Sequence, residues 1–285
     1  MNKRIRKNRK LKKIGKINSL KIKFKQIHGY DLNLKSPKTF SEKIQWLKLY
    51  GNLKRFSKYV DKYEVRQYVK ERLGEEYLIP LTGVYDKVEQ INMDNLPDSF
   101  VLKATHASGW NIIVNDKSKF SWKNNKNQVR KWLNSSYYQK TGEANYRNIK
   151  PRVVIEELIK DPTGDLKDYK IFCFHGEPKF IQVDGDRFKD HKRDIYDLNW
   201  DKLPVRHYYP HFNELVAKPS CLNELLNIAQ KLASDFAFVR VDLYCTNEKI
   251  FFGELTFTPV NGLKQFEPND YDELFGQYLD LNRYV

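Results

Sequence analysis

Two apolar runs, residues 236–244 and 250–257, flank a short polar break at 245–249, the pattern of an antiparallel hairpin. Upstream, Thr39 or Ser41 stands where it caps a helix carrying Ile44, Leu47 and Leu49, which Gly51 ends. A second helix is predicted over 58–73 with its stop at Gly74, followed by a strand-like stretch at 81–85. Further strands read at 99–103 and 151–159, and residues 167–183 read as a hairpin turning at His175-Gly176-Glu177-Pro178. Leu225, Ile228 and Leu232 give one helical face just before the hairpin at 236. The polar, aromatic stretch 121–148 predicts a helix and an exposed excursion, and the charged stretch 184–200 a loop with His191, Lys192 and Arg193 facing solvent.

At the N-terminus Leu11, Ile14, Ile17, Leu20, Phe24 and Ile27 recur every three or four residues among lysines. Residues 1–27 hold twelve Lys and Arg and no acid, so the net charge of +15 belongs to this arm and the body is nearly neutral. An anionic membrane surface, at ~1 kcal/mol per Lys, and a solvated or packing role suit such an arm about equally. Nucleic acid is the unlikely partner, because base-stacking aromatics are missing around the charge. With 18 Tyr, 17 Phe and 5 Trp in 285 residues a folded protein is expected. No apolar segment is long enough for a signal peptide or a membrane span, and Cys173, Cys221 and Cys245 lack metal-ligand spacing. They read as reduced core thiols of a cytoplasmic protein.

Charges inside apolar strands change the picture. Arg240 and Asp242, two apart, share a face, and Glu254 sits mid-strand in the second run. Each needs a partner, because a buried unpaired charge costs several kcal/mol. Two readings follow: Arg240 simply pairs with Asp242, or Asp242 and Glu254 give oxygen ligands to a hard cation such as Mg²⁺. In the second reading, removing either carboxylate leaves the stability of the ligand-free protein level or higher. Lys103 ends a strand and leads into Ala104, Thr105, Ala107, Ser108 and Gly109, an ammonium plus close-approach backbone N–H groups suited to phosphate. Arg187 is the best phosphate or carboxylate binder in the charged stretch. The string Asp184-Gly-Asp186 matches the short D-x-D pattern of glycosyltransferases.

In order, PKTFSEKIQWLK, DKYEVR, FVLKATHASG, VVIEELI, DYKIFCF, YDLNW and RVDLY…FGELTFTP resemble the TupA-like group of the ATP-grasp family, of teichuronopeptide and surface-polysaccharide biosynthesis. The resemblance implies an α+β fold with nucleotide between the antiparallel sheets of two lobes. It divides the chain into the arm 1–27, a helical N-terminal segment 28–85, a small lobe 86–160 and a large lobe 161–285. It implies ATP and Mg²⁺ as cofactors, an acidic sugar or amino-acid substrate, and carboxylate–amine ligation through an acyl phosphate; the basic arm would bring such a cytoplasmic enzyme to the inner face of the plasma membrane. Lys62, Lys103, Ser108 and Gly109 would contact phosphates. Glu156, Glu157, Leu158 and Ile159 would form the adenine hinge, and Asp168, or Asp165, would take the ribose. Arg240 with Lys103 and Arg187 would serve catalysis, and Asp242 and Glu254 would hold the metal. The usual third ligand, Asn, is Thr256 here, with Asn261 the substitute. A glycosyltransferase and a non-catalytic binding protein are the alternatives.

Overall fold

Eleven strands and eight helices are found among the described residues, 3–162, 164–186, 190–246 and 249–284, of the computed structural model, with side chains from residue 14 onward; nine strands form two antiparallel sheets, and two more form a small separate pair. The helical N-terminal part comprises α1 (Lys3–His28), α2 (Phe40–Tyr50), α3 (Ser57–Val60) and α4 (Val65–Arg72). Strands β1 (Leu81–Tyr85), β2 (Phe100–Ala104) and β3 (Asn111–Val114) follow, then α5 (Trp122–Leu133), α6 (Tyr137–Thr141) and β4 (Val153–Glu157). Next come β5 (Asp168–Phe174), β6 (Glu177–Gly185), β7 (Lys192–Tyr196), β8 (Arg206–His207) and α7 (Leu222–Ala233). The chain ends with β9 (Phe238–Cys245), β10 (Ile250–Thr256), β11 (Phe266–Glu267) and α8 (Asp270–Gln277).

The four-stranded sheet has the order β1-β4-β2-β3. Strand alternation splits its faces: Phe100, Leu102, Ala104, Val153 and Ile155 bury themselves against Val129 and Trp132 of α5. The opposite face carries Val101 and Lys103, whose cross-strand partners are Glu156 and Val154. The five-stranded sheet has the order β10-β9-β5-β6-β7. Its apolar face, Ile171, Cys173, Val239, Val241 and Leu243, packs with Leu225, Ile228, Ala229 and Leu232 of α7 in one core.

The other face of the larger sheet is divided along its strands. Phe172, Phe174 and Phe238 meet Phe40 of α2 edge-on, at ring centroids 5.1–6.0 Å apart. Asp168, Lys170, Arg240 and Asp242 continue the same strand faces into a charged patch. Helix α2 thus covers the apolar half and leaves the polar half facing the smaller sheet. Thr39 caps α2 in a reciprocal box with Glu42, and fully buried Asp272 of α8 accepts from the Ser41 N–H at 2.8 Å.

Three expectations need correction. The excursion within 121–148 is not exposed: Glu143 and Asn145 are buried, because the segment turns back onto the larger sheet's side of the molecule through a Thr258–Glu143 hydrogen bond. Residues 192–196 are strand, not loop, and Arg193 is buried in a bidentate pair with Asp184, its cross-strand neighbour. The cysteines are not all free: Cys221 and Cys245 are joined as a disulfide, and only Cys173 is a buried thiol. The arm is a helix whose inner end packs on the body, in line with the packing role its pattern suited. Phe24 is fully buried against Leu32 and Leu263, while Ile14 and Ile22 remain exposed. No described helix is long and apolar enough to cross a membrane.

Candidate functional site

A cavity of about 750 Å³ opens between the sheets. Val101, Lys103 and Ile113 wall it from the smaller sheet, residues 157–161 form its hinge side, and Tyr244 closes it from the larger sheet. Its walls combine aliphatic side chains, Ile79, Val101, Ile113, Leu158, Ile159 and Leu166, with charged and amide groups, the usual make-up of a small-molecule site.

Lys103 stands on the cavity wall and donates to Glu156 at 2.6 Å. Arg66 of α4 reaches the other Glu156 oxygen at 3.2 Å, so this buried carboxylate holds two cations. Lys62 belongs to the N-terminal part, but its Nζ donates to the Ala107 carbonyl at 2.9 Å and lies 3.6 Å from Glu254. Lys62 therefore joins the loop after β2 to the larger sheet. Ser108 and Gly109 are exposed at the tip of that loop, and Gly109 has φ +73 with open space where a Cβ would be.

On the larger sheet the charges are linked. Asp242 is almost fully buried and accepts from Arg240 Nε and Nη2 at 2.6 and 2.7 Å and from Lys170 at 2.6 Å. Lys170 also donates to Asp168 at 2.5 Å. Glu254 faces Asp242 across the ladder and, unlike it, is 30% exposed. Arg240 lies 3.4 Å from Glu254, and the Thr256 hydroxyl bridges the two, accepting from Arg240 and donating to Glu254, each at 3.0 Å. Burial pushes the Glu254 carboxyl up, but Lys62, Arg240, Lys170 and the Thr256 hydrogen bond outweigh it and hold the group down at about 2. Burial also works against the charge on Arg240, and Asp242 and Glu254 more than offset that. Burial pushes the Asp242 carboxyl up against the pull of Arg240 and Lys170, and the linked ion pairs fix the array in place.

The sequence-based assignments fall into three groups. Lys62, Lys103, Glu156, Arg240, Asp242 and Glu254 converge, and Glu157, Leu158 and Ile159 line the cavity. Asp168 lies inside the charged network rather than on the cavity wall, where Asp161, Asp165 and Asp186 stand instead. Asn261 points away from Asp242 in its contacts: its Nδ2 donates to the Thr141 carbonyl at 3.4 Å, while its Oδ1 is buried without a hydrogen-bond partner. Arg187 lies outside the described residues. Asp184, the first acid of the D-x-D string, has both oxygens on Arg193. Glu143 and Lys48, which sequence reasoning did not single out, both reach the turn after β10, Glu143 accepting from the Thr258 hydroxyl at 2.6 Å and Lys48 donating to the Asn261 carbonyl at 3.2 Å.

Asp242 and Glu254 supply two carboxylates on one face, a donor set that suits Mg²⁺ shared with phosphate oxygens. Among the described residues no larger His, Cys, Asp and Glu cage gathers. The fit is to an ion that arrives with its other ligands.

A search of curated proteins finds no match. Solved structures similar to this chain include D-alanine–D-alanine ligase from Bacillus anthracis, at 16% identity and TM-score 0.44 over 70% of this chain and 57% of that one. The corresponding ligase from Helicobacter pylori gives 17% and 0.39 over 78% and 61%. A RimK domain ATP-grasp protein from Sphaerobacter thermophilus gives 10% and 0.40 over 78% and 67%. The chain spans somewhat over half the length of the first of these. The family model described as TupA-like ATPgrasp matches residues 42–280, nearly the whole body beyond the arm, and the chain belongs to that family.

Proposed function

We propose that the protein is an ATP-dependent carboxylate–amine ligase that works through an acyl phosphate. The observation that carries this reading is the convergence of Lys62, Lys103, Arg240, Asp242 and Glu254 from three parts of the chain beside one cavity. Phosphoryl transfer asks little of a protein beyond position and positive charge around the equatorial oxygens. Adenine occupies the aliphatic part of the cavity. The Glu157 N–H is committed to the Pro80 carbonyl, so recognition of the adenine edge falls to Leu158 and Ile159. Asp165 or Asp161 takes the ribose, and Lys103 with the Ser108–Gly109 backbone takes phosphate. Asp242 and Glu254 hold Mg²⁺, which when bound neutralises charge building on the transferred phosphoryl group. Arg240, fixed by Asp242 and Thr256, faces the acyl-phosphate oxygens, and Lys62 closes the array from the other lobe.

The substrate acid is a surface-polysaccharide uronic acid or an amino acid. Helix α1, with its exposed lysines and Ile22, holds the enzyme near an anionic membrane face. The test is thermal unfolding with millimolar Mg·ATP or UDP-sugars: a ligand at 100 times its Kd adds ~2.7 kcal/mol of stability. Stabilisation by Mg·ATP alone is expected. Stabilisation by a UDP-sugar with ATP silent would replace the ligase by a glycosyltransferase.

A further inference from the structure

A second polar cluster gathers at the turn that follows β10. Glu143 follows α6, is 6% exposed, and accepts from the Thr258 hydroxyl at 2.6 Å. Thr258 begins a turn in which Val260, Asn261 and Gly262 all have left-handed φ, of 45, 60 and 60 degrees. For Val260 that conformation is an outlier, of the kind that persists only when its surroundings impose it. Helix α2 imposes it here. Gln45 donates to the Asn261 and Gly262 carbonyls at 2.9 and 2.8 Å, and Lys48 donates to the Asn261 carbonyl at 3.2 Å and to Gln45 at 2.9 Å.

This turn presents acceptors and one cation with capacity to spare. The Asn261 Oδ1 is buried and has no partner. Thr258 and Thr141 use only part of the acceptor capacity of the Glu143 carboxylate. Lys48 acts on Glu143 through space without touching it, and burial pushes the Lys48 ammonium down to about 8. Tyr137 and Tyr146 flank Glu143 in sequence and meet edge to face at 4.8 Å, and Tyr137 meets Trp110 of the loop after β2 at 5.7 Å. These rings join the segment that carries Glu143 to the phosphate loop.

We propose that Glu143, Asn261 and Lys48 form the binding site for a zwitterionic amino acid, the ammonium held by the Glu143 carboxylate and Asn261 Oδ1 and the carboxylate by Lys48. An ammonium has donors only and meets acceptors here, and opposite charges on one small ligand match opposite charges on the wall. A neutral sugar leaves both charges uncompensated, and a simple acid faces Glu143 with like charge. The inference rests on the ligase reading, in which this ligand is the amine co-substrate.

The experiment is thermal unfolding of the full chain with glycine, D-alanine or L-glutamate, beside propionate and ethylamine as half-molecules, and separately with Mg·ATP. At least one amino acid is expected to raise the midpoint while its half-molecules do not. Glu143→Gln and Lys48→Met should each weaken that amino acid by about 10- to 100-fold, as loss of one charged hydrogen-bond partner does. Both variants should keep the Mg·ATP shift, which also shows that they are folded; if one does not fold, the other carries the test. The proposal is overturned if no amino acid stabilises the wild type, or if the shift survives in the variants. Mg·ATP stabilisation without any amino-acid response removes this site and leaves the nucleotide site standing. An amino-acid response without Mg·ATP removes the ligase reading.

Discussion

Replacing Asp242 by Asn separates the structural work of the charged array from its proposed metal work. Asp242 is 2% exposed and takes three charge-assisted hydrogen bonds, two from Arg240 and one from Lys170. Asn keeps the shape but leaves two buried cations short of a counter-charge, and removing one member of such a buried pair costs ~3–5 kcal/mol. The sequence reading of two carboxylates repelling each other, with stability level or higher after removal, is replaced: Lys170 and Arg240 already supply the compensating charge. Glu254 is different, being 30% exposed with its Arg240 and Lys62 contacts at 3.4 and 3.6 Å. Glu254→Gln should cost only ~1 kcal/mol, as for a partly solvated pair. Urea unfolding of the three proteins without ligand measures this order directly. Repeating it with Mg·ATP tests the second half, since both variants should lose most of the nucleotide's stabilisation. An Asp242→Asn protein as stable as the wild type, or less affected than Glu254→Gln, would refute the reasoning.

Thr256→Asn replaces the hydroxyl that bridges Arg240 and Glu254 with a longer amide, and Mn²⁺ binding in the presence of ATP, read by electron paramagnetic resonance, should be retained or tightened. Asp272 is fully buried and its carboxyl is raised from 3.8 to about 6, by burial against the hydrogen bonds from Ser41 and Tyr30. The folded state then holds this proton more tightly than the unfolded chain, so the contribution of Asp272 is fully present below pH ~4 and is lost, by about 3 kcal/mol, as pH rises through 6. Asp272→Asn should remove that part of the profile in urea titrations at pH 4 and 7. Truncation of the first 16 residues should abolish salt-sensitive binding to anionic vesicles and leave the unfolding midpoint unchanged, whereas Phe24→Ala, which empties a fully buried position, should cost ~3–5 kcal/mol.

How much of this was legible depended on contrast. Arg240, Asp242 and Glu254 announce themselves because they interrupt runs such as FVRVDLY, where an unpartnered charge is not tolerated. Lys103 does so by ending an apolar strand before a run of small residues. Arg193 stands in a stretch of charge that looks solvated, and its burial is fixed by Asp184 on the neighbouring strand. The disulfide likewise joins positions 24 residues apart whose proximity depends on how α7 crosses β9.

Glu143 is the most instructive case. It sits between Gly142 and Ala144 in a polar stretch, where nothing local distinguishes it from a surface acid. Thr258 lies 115 residues later, and Lys48 belongs to a helix that reaches the site only because Phe40 anchors it on the larger sheet. A charge in an apolar strand states its own need for a partner, but a charge in a polar loop becomes functional only through elements that fold over it. Such a site, assembled from α2, the segment after α6 and the turn after β10, has the freedom to change its ligand while the nucleotide array beneath it stays fixed. Substrate choice in this chain should therefore respond to Lys48, Glu143 and Asn261, and nucleotide binding to Lys103, Asp242 and Glu254.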